Sequence, residues 1–416
     1  MTAVETPAGQ PVAVAADSVV VLHDLTFRPE EDGAWVVGRA ATGEFVELPA
    51  EAKTVIDLLT AGRRVGEAKR EADRRHDADL DVADFVGDLV ELGFVATVDG
   101  RPADAGAAAP QPPSLPRLRP GHVRWVFTPP VAIVLAAYVA VGFGVALHDQ
   151  VMPTFRSFFA FSHPGVNALT AMVLSWSNAA LHEFWHLAAA RAAGIGGRIG
   201  FGTRLTFLVA QTSVPGLWAA DRRARLRFYV AGMISDLVVV STCLLIAAST
   251  PTGSVAHRIT ELISLTILLS FLLQFAVYVR TDVYLIVQEL TGCKNLHGDA
   301  TARLRWWAAG LRSRGARSRG PDPTDGLPQR ERRPVRIYAV VVALGSTVTL
   351  AEFGFFQLPI LAVTIYRSAR EVAVNVPAGA VPQIVDGTIM LVVPVVTQAL
   401  FIRTLTRRIR ARRRAL

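Results

Sequence analysis

The residues best suited to chemistry are Leu181-His182-Glu183-Phe184-Trp185-His186, an HExxH sequence. Histidines four residues apart share one face of a helix, so both imidazoles can reach a single metal ion. Glu183 follows the first histidine and can act as general base toward a water at that metal. The spacing therefore predicts a zinc site for hydrolysis, with His182 and His186 as ligands and Glu183 as the catalytic residue.

The HExxH sequence lies inside an apolar stretch, residues 165–190. Ionisable groups within an apolar helix are energetically expensive, so they usually have a partner and a role. This setting favours a metal site, although a polar helix–helix contact or a pore-lining patch would also place such groups there.

A third protein ligand must come from the same depth in the membrane. His186 lies five residues before Arg191, or about 7 Å from the end of its apolar stretch. Asp282 follows a later apolar stretch at the matching end, and a carboxylate with two imidazoles leaves the fourth tetrahedral position for water. Asp282 could instead be an interfacial charge paired with Arg280. The competing ligands are Asp236, Glu289, His297 and Asp299.

Two further polar residues lie within or beside these apolar stretches. Asp236 can orient a ligand, bind substrate or form a structural hydrogen bond. Asn178 lies one turn before His182, where it can polarise the reacting carbonyl or only bond its own helix.

The elements that must position these residues are hydrophobic helices. The 416 residues are 51% apolar with a mean hydropathy of +0.35, and the two cysteines do not suggest a disulfide framework. Each apolar stretch can cross a hydrocarbon core of about 30 Å. The sequence predicts a multi-pass α-helical membrane protein with six spans, near residues 123–147, 165–190, 228–248, 259–279, 337–365 and 384–402.

The basic residues predict the orientation of these spans. Residues 191–227, residues 281–336 and the tail from Arg403 contain 25 Lys and Arg, whereas the other three connections contain four. The positive-inside rule then places both termini in the cytoplasm. A net charge of +8 concentrated in this way is typical of membrane topology and an anchor on anionic lipid, and not of nucleic-acid binding.

The chain before the first span predicts a separate soluble domain. Residues 1–17 are Ala/Pro-rich and predicted to be disordered, residues 18–98 form a small α+β domain, and residues 99–122 are a Pro/Ala linker. Within the domain we expect strands at Val19–Leu25, Ala34–Arg39 and Phe45–Leu48, then three helices and a closing strand. This order suggests a winged helix. The transmembrane domain covers residues 123–402, and a basic tail covers 403–416.

Residues 198–219 are apolar but interrupted by glycine, glutamine and proline, which favours a membrane-associated hairpin or a re-entrant segment over a span. Its sheet edge could hold an unwound substrate strand, or the segment could be a structural connector.

The HExxH helix followed by Asp282 resembles the site-2-protease type of intramembrane zinc metallopeptidase. Ala231-Gly232-Met233-Ile234-Ser235-Asp236 matches a Gly-rich motif of that family, except that Asp236 replaces the usual Asn. Thr281-Asp282-Val283-Tyr284 stands in place of the usual Leu-Asp-Gly. The Asp–Tyr pair before Leu290–Leu296 is closer to the bacterial peptide zinc metalloprotease branch. The resemblance implies one zinc ion and peptide-bond hydrolysis in a bacterial cell membrane.

The N-terminal domain resembles the winged-helix recognition element of ribosomally made peptide (RiPP) pathways. The similar residues are Leu48-Pro49, Val55–Leu59 and Leu89–Val95. In that family a leader peptide adds as a strand beside the third strand, against the third helix. Together the two halves resemble a leader-removing metalloprotease of a daptide-type pathway, whose partners are a precursor peptide and the bilayer.

Two other functions fit the same sequence. One is regulated intramembrane proteolysis of a membrane-bound regulator such as an anti-sigma factor. The other is a non-proteolytic peptide export or immunity protein.

Overall fold

The computed structural model describes residues 14–29, 33–39, 42, 44–103, 112–204, 207–312 and 321–414. The chain forms two compact units: unit 1 comprises 1–119, 193–198 and 213–225, and unit 2 comprises 120–192, 199–212 and 226–416. Most of the predicted disordered segment (1–13), part of the predicted linker (104–111) and the end of the tail (415–416) lie outside the described residues.

Unit 1 contains the predicted helices and two small sheets. Its elements are β1 (Val20–Leu22), β2 (Thr26–Pro29), β3 (Trp35–Arg39), β4 (Glu44–Leu48), α1 (Ala50–Thr60), α2 (Val65–His76), α3 (Val82–Glu91), β5 (Val95–Val98) and β6 (Arg101–Pro102). The strand orders are β1-β5-β6 and β2-β3-β4. The three helices and the closing strand are confirmed, whereas the winged-helix assignment stays a prediction.

The first predicted strand, Val19–Leu25, is wrong in its extent. The structure breaks it after Leu22 because β1 pairs antiparallel with β5, while β2 pairs antiparallel with β3. The two strands thus belong to different sheets, and only pairing with distant residues decides the break.

The core of unit 1 lies where the helices meet the sheets. Fully buried side chains at helical spacing, such as Val86 and Leu89, pack with Phe94 and with Val37 of β3. Asp81 caps α3 by accepting the Asp84 N–H at 3.0 Å. The helices therefore form where apolar spacing and capping agree.

Unit 2 contains the longer helices. Its elements are α4 (Pro120–Val123), α5 (Pro129–His148), α6 (Pro164–Ala192), β7 (Arg198–Arg204), β8 (Phe207–Ser213), α7 (Arg222–Ser249), α8 (Val255–Leu273), α9 (Asp282–Thr291), α10 (Leu296–Arg312), α11 (Gln329–Glu352), α12 (Leu358–Ala378) and α13 (Val381–Arg414). The first residues of β7 and α7 and the last residue of β8 belong to unit 1. A π-helical turn, Phe353–Gln357, joins α11 to α12.

Among the described residues, five helices are long and apolar enough to cross a membrane. They are Pro129–His148, Arg222–Ser249, Val255–Leu273, Gln329–Ala378 and Val381–Arg407. The chain is therefore a mostly helical, multi-pass membrane protein. Helix α6 has the length of a span but is not among the five, because polar residues occur along its whole length and not only in the HExxH sequence. The count of six spans stays a prediction.

Two predicted spans have other limits in the structure. The fourth, 259–279, belongs to a helix that ends at Leu273 and is followed by a 3-10 turn at Val277–Val279. The fifth, 337–365, is part of a continuous 50-residue helical segment. In contrast, the predicted hairpin is confirmed as β7 and β8, which pair in a two-stranded sheet.

Candidate metal centre

Three side chains of unit 2 converge. His182 Nε2 lies 3.1 Å from His186 Nε2, and Asp282 Oδ2 lies 3.0 Å and 3.2 Å from these two nitrogens. Among the described residues this is the only cluster of three or more His, Cys, Asp or Glu side chains that could hold a metal ion. The structure thus brings together the three residues that the sequence predicts as ligands.

The other nitrogen of each imidazole faces an acceptor on α7. His182 Nδ1 donates to Asp236 Oδ2 at 2.9 Å, and His186 Nδ1 donates to the Phe228 carbonyl at 2.7 Å. A carboxylate and a carbonyl only accept, so both rings carry their proton on Nδ1 when neutral. Both Nε2 lone pairs then point toward Asp282.

This donor set fits a tetrahedral zinc ion. Zinc binds imidazole and carboxylate at about 2.0 Å, which sets the edges between tetrahedral ligand atoms at about 3.3 Å. The observed separations of 3.0–3.2 Å are close to those edges. Three lone-pair atoms this close to one another repel unless protons or a cation lie between them.

The packing of α7 leaves room for the cation. A Cβ atom on Gly232 would lie 2.5 Å from Nε2 of His186 and no farther from Nε2 of His182. Any side chain here would fill the space that both lone pairs face. The glycine on α7 therefore keeps open the position between the imidazoles.

The charges of the site also favour a cation. Asp236 is 1% exposed and Asp282 is largely buried. Among the described residues, their only ion-pair partners are His182 and His186. Two carboxylates held in an apolar helix bundle are costly without compensating positive charge, which a divalent cation supplies.

The first turn of α9 positions Asp282. Its backbone N–H donates to Gln274 Oε1 at 3.2 Å, and the Thr281 hydroxyl donates to the Gln274 carbonyl. A carboxylate at a helix N-terminus is also stabilised by the helix dipole. Gln274, which follows the last residue of α8, thus fixes the first turn of α9 and with it the position of Asp282.

Glu183 is held by the hairpin. Thr212 of β8 donates its hydroxyl proton to Glu183 Oε2 at 2.7 Å, and the same hydroxyl lies 3.1 Å from the Glu183 carbonyl. Glu183 is buried, and it directly follows His182 in the sequence. A carboxylate anchored here can exchange a proton with a water at the cluster.

The structure separates the residues that sequence reasoning left open. Asp236 lies on the Nδ1 side of His182, away from the convergent lone pairs. Asn178 donates to Asp236 Oδ1 at 2.8 Å, and its side chain forms no hydrogen bond with the described residues of its own helix. One hydrogen of its amide group is thus engaged with α7, and its role of polarising a carbonyl stays a prediction.

The three other competing ligands lie outside the cluster. The His297 ring packs against Tyr284 and Tyr338, and its pKa is lowered because burial and the charge of Arg280 disfavour the cation. Burial and a nearby carboxylate raise the pKa of Asp299. Glu289 is two turns beyond Asp282 on α9.

Sequence reasoning missed three residues that shape the site, Thr212, Phe228 and Gln274, and it named Gly232 only as part of a motif, without a role. One signal was available: residues 228, 232 and 236 recur every four positions on α7, and residues 178, 182 and 186 do the same on α6. The hydrogen bonds connect these two stripes in opposite directions along the helices.

Comparison of the chain with protein-family profiles, with curated proteins and with solved structures found no match.

Proposed function

We propose that the chain is an intramembrane zinc metalloprotease that removes the leader from a ribosomally synthesised precursor peptide. The convergence of His182, His186 and Asp282 beside Glu183 is the observation that carries this proposal. Two neutral imidazoles and one carboxylate leave a tetrahedral position for water, the arrangement of hydrolytic zinc sites. The resemblance to site-2-protease-type enzymes rests on the same residues.

Each residue has a defined part in hydrolysis. A bound zinc ion supplies a Lewis acid and lowers the pKa of water to about 7. Glu183, anchored by Thr212, takes a proton from the attacking water and passes it to the leaving amine. The proton inventory balances, because one water is consumed and the peptide bond yields one carboxylate and one amine.

The leader-capturing role belongs to unit 1. Strand β4 is the third of the predicted strands, and among the described residues it pairs only with β3. A strand at the edge of a sheet is where a peptide could add as a further strand. We place the protein in a bacterial cell membrane with both termini in the cytoplasm, where a newly made precursor is present.

Metal analysis combined with proteolysis tests the proposal. The purified full-length protein in detergent is expected to contain about one zinc ion per chain. It should also cleave members of a library of unstructured peptides with apolar segments, read by mass spectrometry. The Glu183→Gln variant should retain zinc but lose cleavage. Glu261→Gln is the matched control, since Glu261 lies 3.7 Å from His257 in a similar pair on α8, away from the cluster.

Three outcomes would contradict the proposal. A metal-free protein that cleaves as well as the zinc-loaded one would exclude the metal mechanism. Equal cleavage by wild type and Glu183→Gln would exclude the general base. Zinc binding with no cleavage of any peptide would favour a non-proteolytic export or immunity protein.

A further inference from the structure

Asp236 links His182 of the candidate metal centre to Asn178, which lies one turn earlier on α6. One carboxylate oxygen accepts the Nδ1 proton of His182 at 2.9 Å, and the other accepts an amide proton of Asn178 at 2.8 Å. The residue is 1% exposed. No other side chain among the described residues bonds this carboxylate, so both of its hydrogen bonds are formed with residues of α6.

The two histidines are therefore held differently. His182 donates to a charged carboxylate, whereas His186 donates to the neutral Phe228 carbonyl. A carboxylate behind an imidazole fixes the ring and makes its far nitrogen a better ligand. We therefore expect Nε2 of His182 to be a stronger metal ligand than Nε2 of His186.

Asn178 limits the freedom of the carboxylate. Its amide group holds one Asp236 oxygen, which leaves the other directed at His182. The Asn178 Oδ1 atom is buried with no hydrogen-bond partner. A side-chain amide with one unused acceptor can rotate, so Asn178 could also hold an amide placed at position 236.

We propose that Asp236 is a positioning residue that sets the affinity of the metal centre through His182, with Asn178 as the residue that locks it. The inference rests on the proposed metal binding. It assigns a role to the Asp that stands where the resembling family usually has Asn. The charge of Asp236 is the element that a neutral residue would lack.

Metal affinity measures this role without any substrate. Full-length protein in detergent is stripped with a chelator and titrated with Zn²⁺ in a competition assay. Substitution of a residue that hydrogen-bonds to a metal ligand typically changes metal affinity about 10- to 100-fold. We expect Asp236→Ala to weaken zinc binding by about this range. Asp236→Asn should weaken it less, because Asn178 can rotate to pair with the new amide. Asn178→Ala should have the smallest effect.

A second readout separates positioning from folding. Cobalt in place of zinc gives a visible spectrum that reports coordination geometry, and Asp236→Ala should change that spectrum while the melting temperature of the metal-free protein stays within the range of the controls. Ser264→Ala is the control for loss of a buried polar side chain, since Ser264 lies on α8 and is fully buried.

The possible results decide the question separately from the proposed function. If wild type binds no zinc, the proposed function fails. If wild type binds zinc and Asp236→Ala binds it equally well with an unchanged cobalt spectrum, only the positioning role fails. If Asp236→Asn is as weak as Asp236→Ala, the charge is required and the rotation of Asn178 does not compensate.

Discussion

Gly232 on α7 lies against the Nε2 atom of His186 on α6, so that a Cβ at this position would be only 2.5 Å from the nitrogen. The same Cβ would crowd His182. Both imidazoles are fixed from behind by hydrogen bonds to α7, so neither ring can move away without losing a buried bond. The space between the two Nε2 atoms therefore stays open only because Gly232 has a hydrogen atom where other residues have a Cβ.

Gly232→Ala should abolish zinc binding without removing a ligand. The added methyl group would occupy the position between the imidazoles, so we expect affinity to fall at least about 100-fold, the upper end of the change typical for residues that only hydrogen-bond to a ligand. Competition titration with Zn²⁺ checks this. Gly144→Ala on α5 is the matched control, because a Cβ there meets no atom within 4 Å. Equal affinities in the two variants would show that the cation does not bind in front of Gly232.

Thr212→Val should slow cleavage while leaving zinc binding unchanged. Valine has the shape of threonine but cannot donate to Glu183, so the proposed general base loses its anchor. General-base catalysis contributes about 10²- to 10⁴-fold, and we expect a loss of about tenfold in the peptide-library rate. Thr212→Ser keeps the hydroxyl and should restore most of the rate. A serine variant as slow as the valine variant would assign Thr212 a packing role instead.

Much of the candidate site could be predicted because its three clustered residues obey local rules. The four-residue spacing of His182 and His186 fixes a shared helix face, and matching depth selected Asp282 among several acids. The helices of unit 1 were predicted for a similar reason, since apolar spacing and caps are local signals.

The supporting contacts could not be predicted in this way. Thr212 is 29 residues from Glu183 and Asp236 is 54 residues from His182, and these pairs meet only through the packing of separate elements. The break between β1 and β2 has the same origin, because His23–Leu25 lacks a strong turn signal and the two strands join different sheets. Tertiary pairing decided each of these features.

Acidification should destabilise wild type more than a His297→Gln variant. Burial and Arg280 lower the folded-state pKa of His297 below its usual value of about 6.5. For a histidine with a depressed pKa, the stabilising contribution is complete above the unfolded pKa. It is lost as the pH falls from there through the folded-state pKa.

Thermal melts of both proteins between pH 7.5 and 5 check this difference. Glutamine has no charge to acquire, so the melting temperature of His297→Gln should fall less over this range. Other groups titrate in both proteins and cancel in the comparison. Parallel decreases in the two melting curves would contradict the assignment.

Asp386 on α13 should stabilise α6 without affecting the metal centre. Its carboxylate accepts the backbone N–H of Gly165 in the first turn of α6 at 2.8 Å, where the helix dipole favours negative charge. Gly165 allows this close approach, because a Cβ there would lie 2.6 Å from the Asp386 carbonyl. Asp386→Ala leaves a buried N–H without a partner, at a cost of about 1–3 kcal/mol of unfolding free energy. Asp386→Asn keeps an acceptor and should lose less of the unfolding free energy.

Zinc affinity should be unchanged in both Asp386 variants, since His182 is 17 residues from Gly165, or about 25 Å along the helix. A variant that melts normally but loses zinc would instead couple this end of α6 to the metal centre.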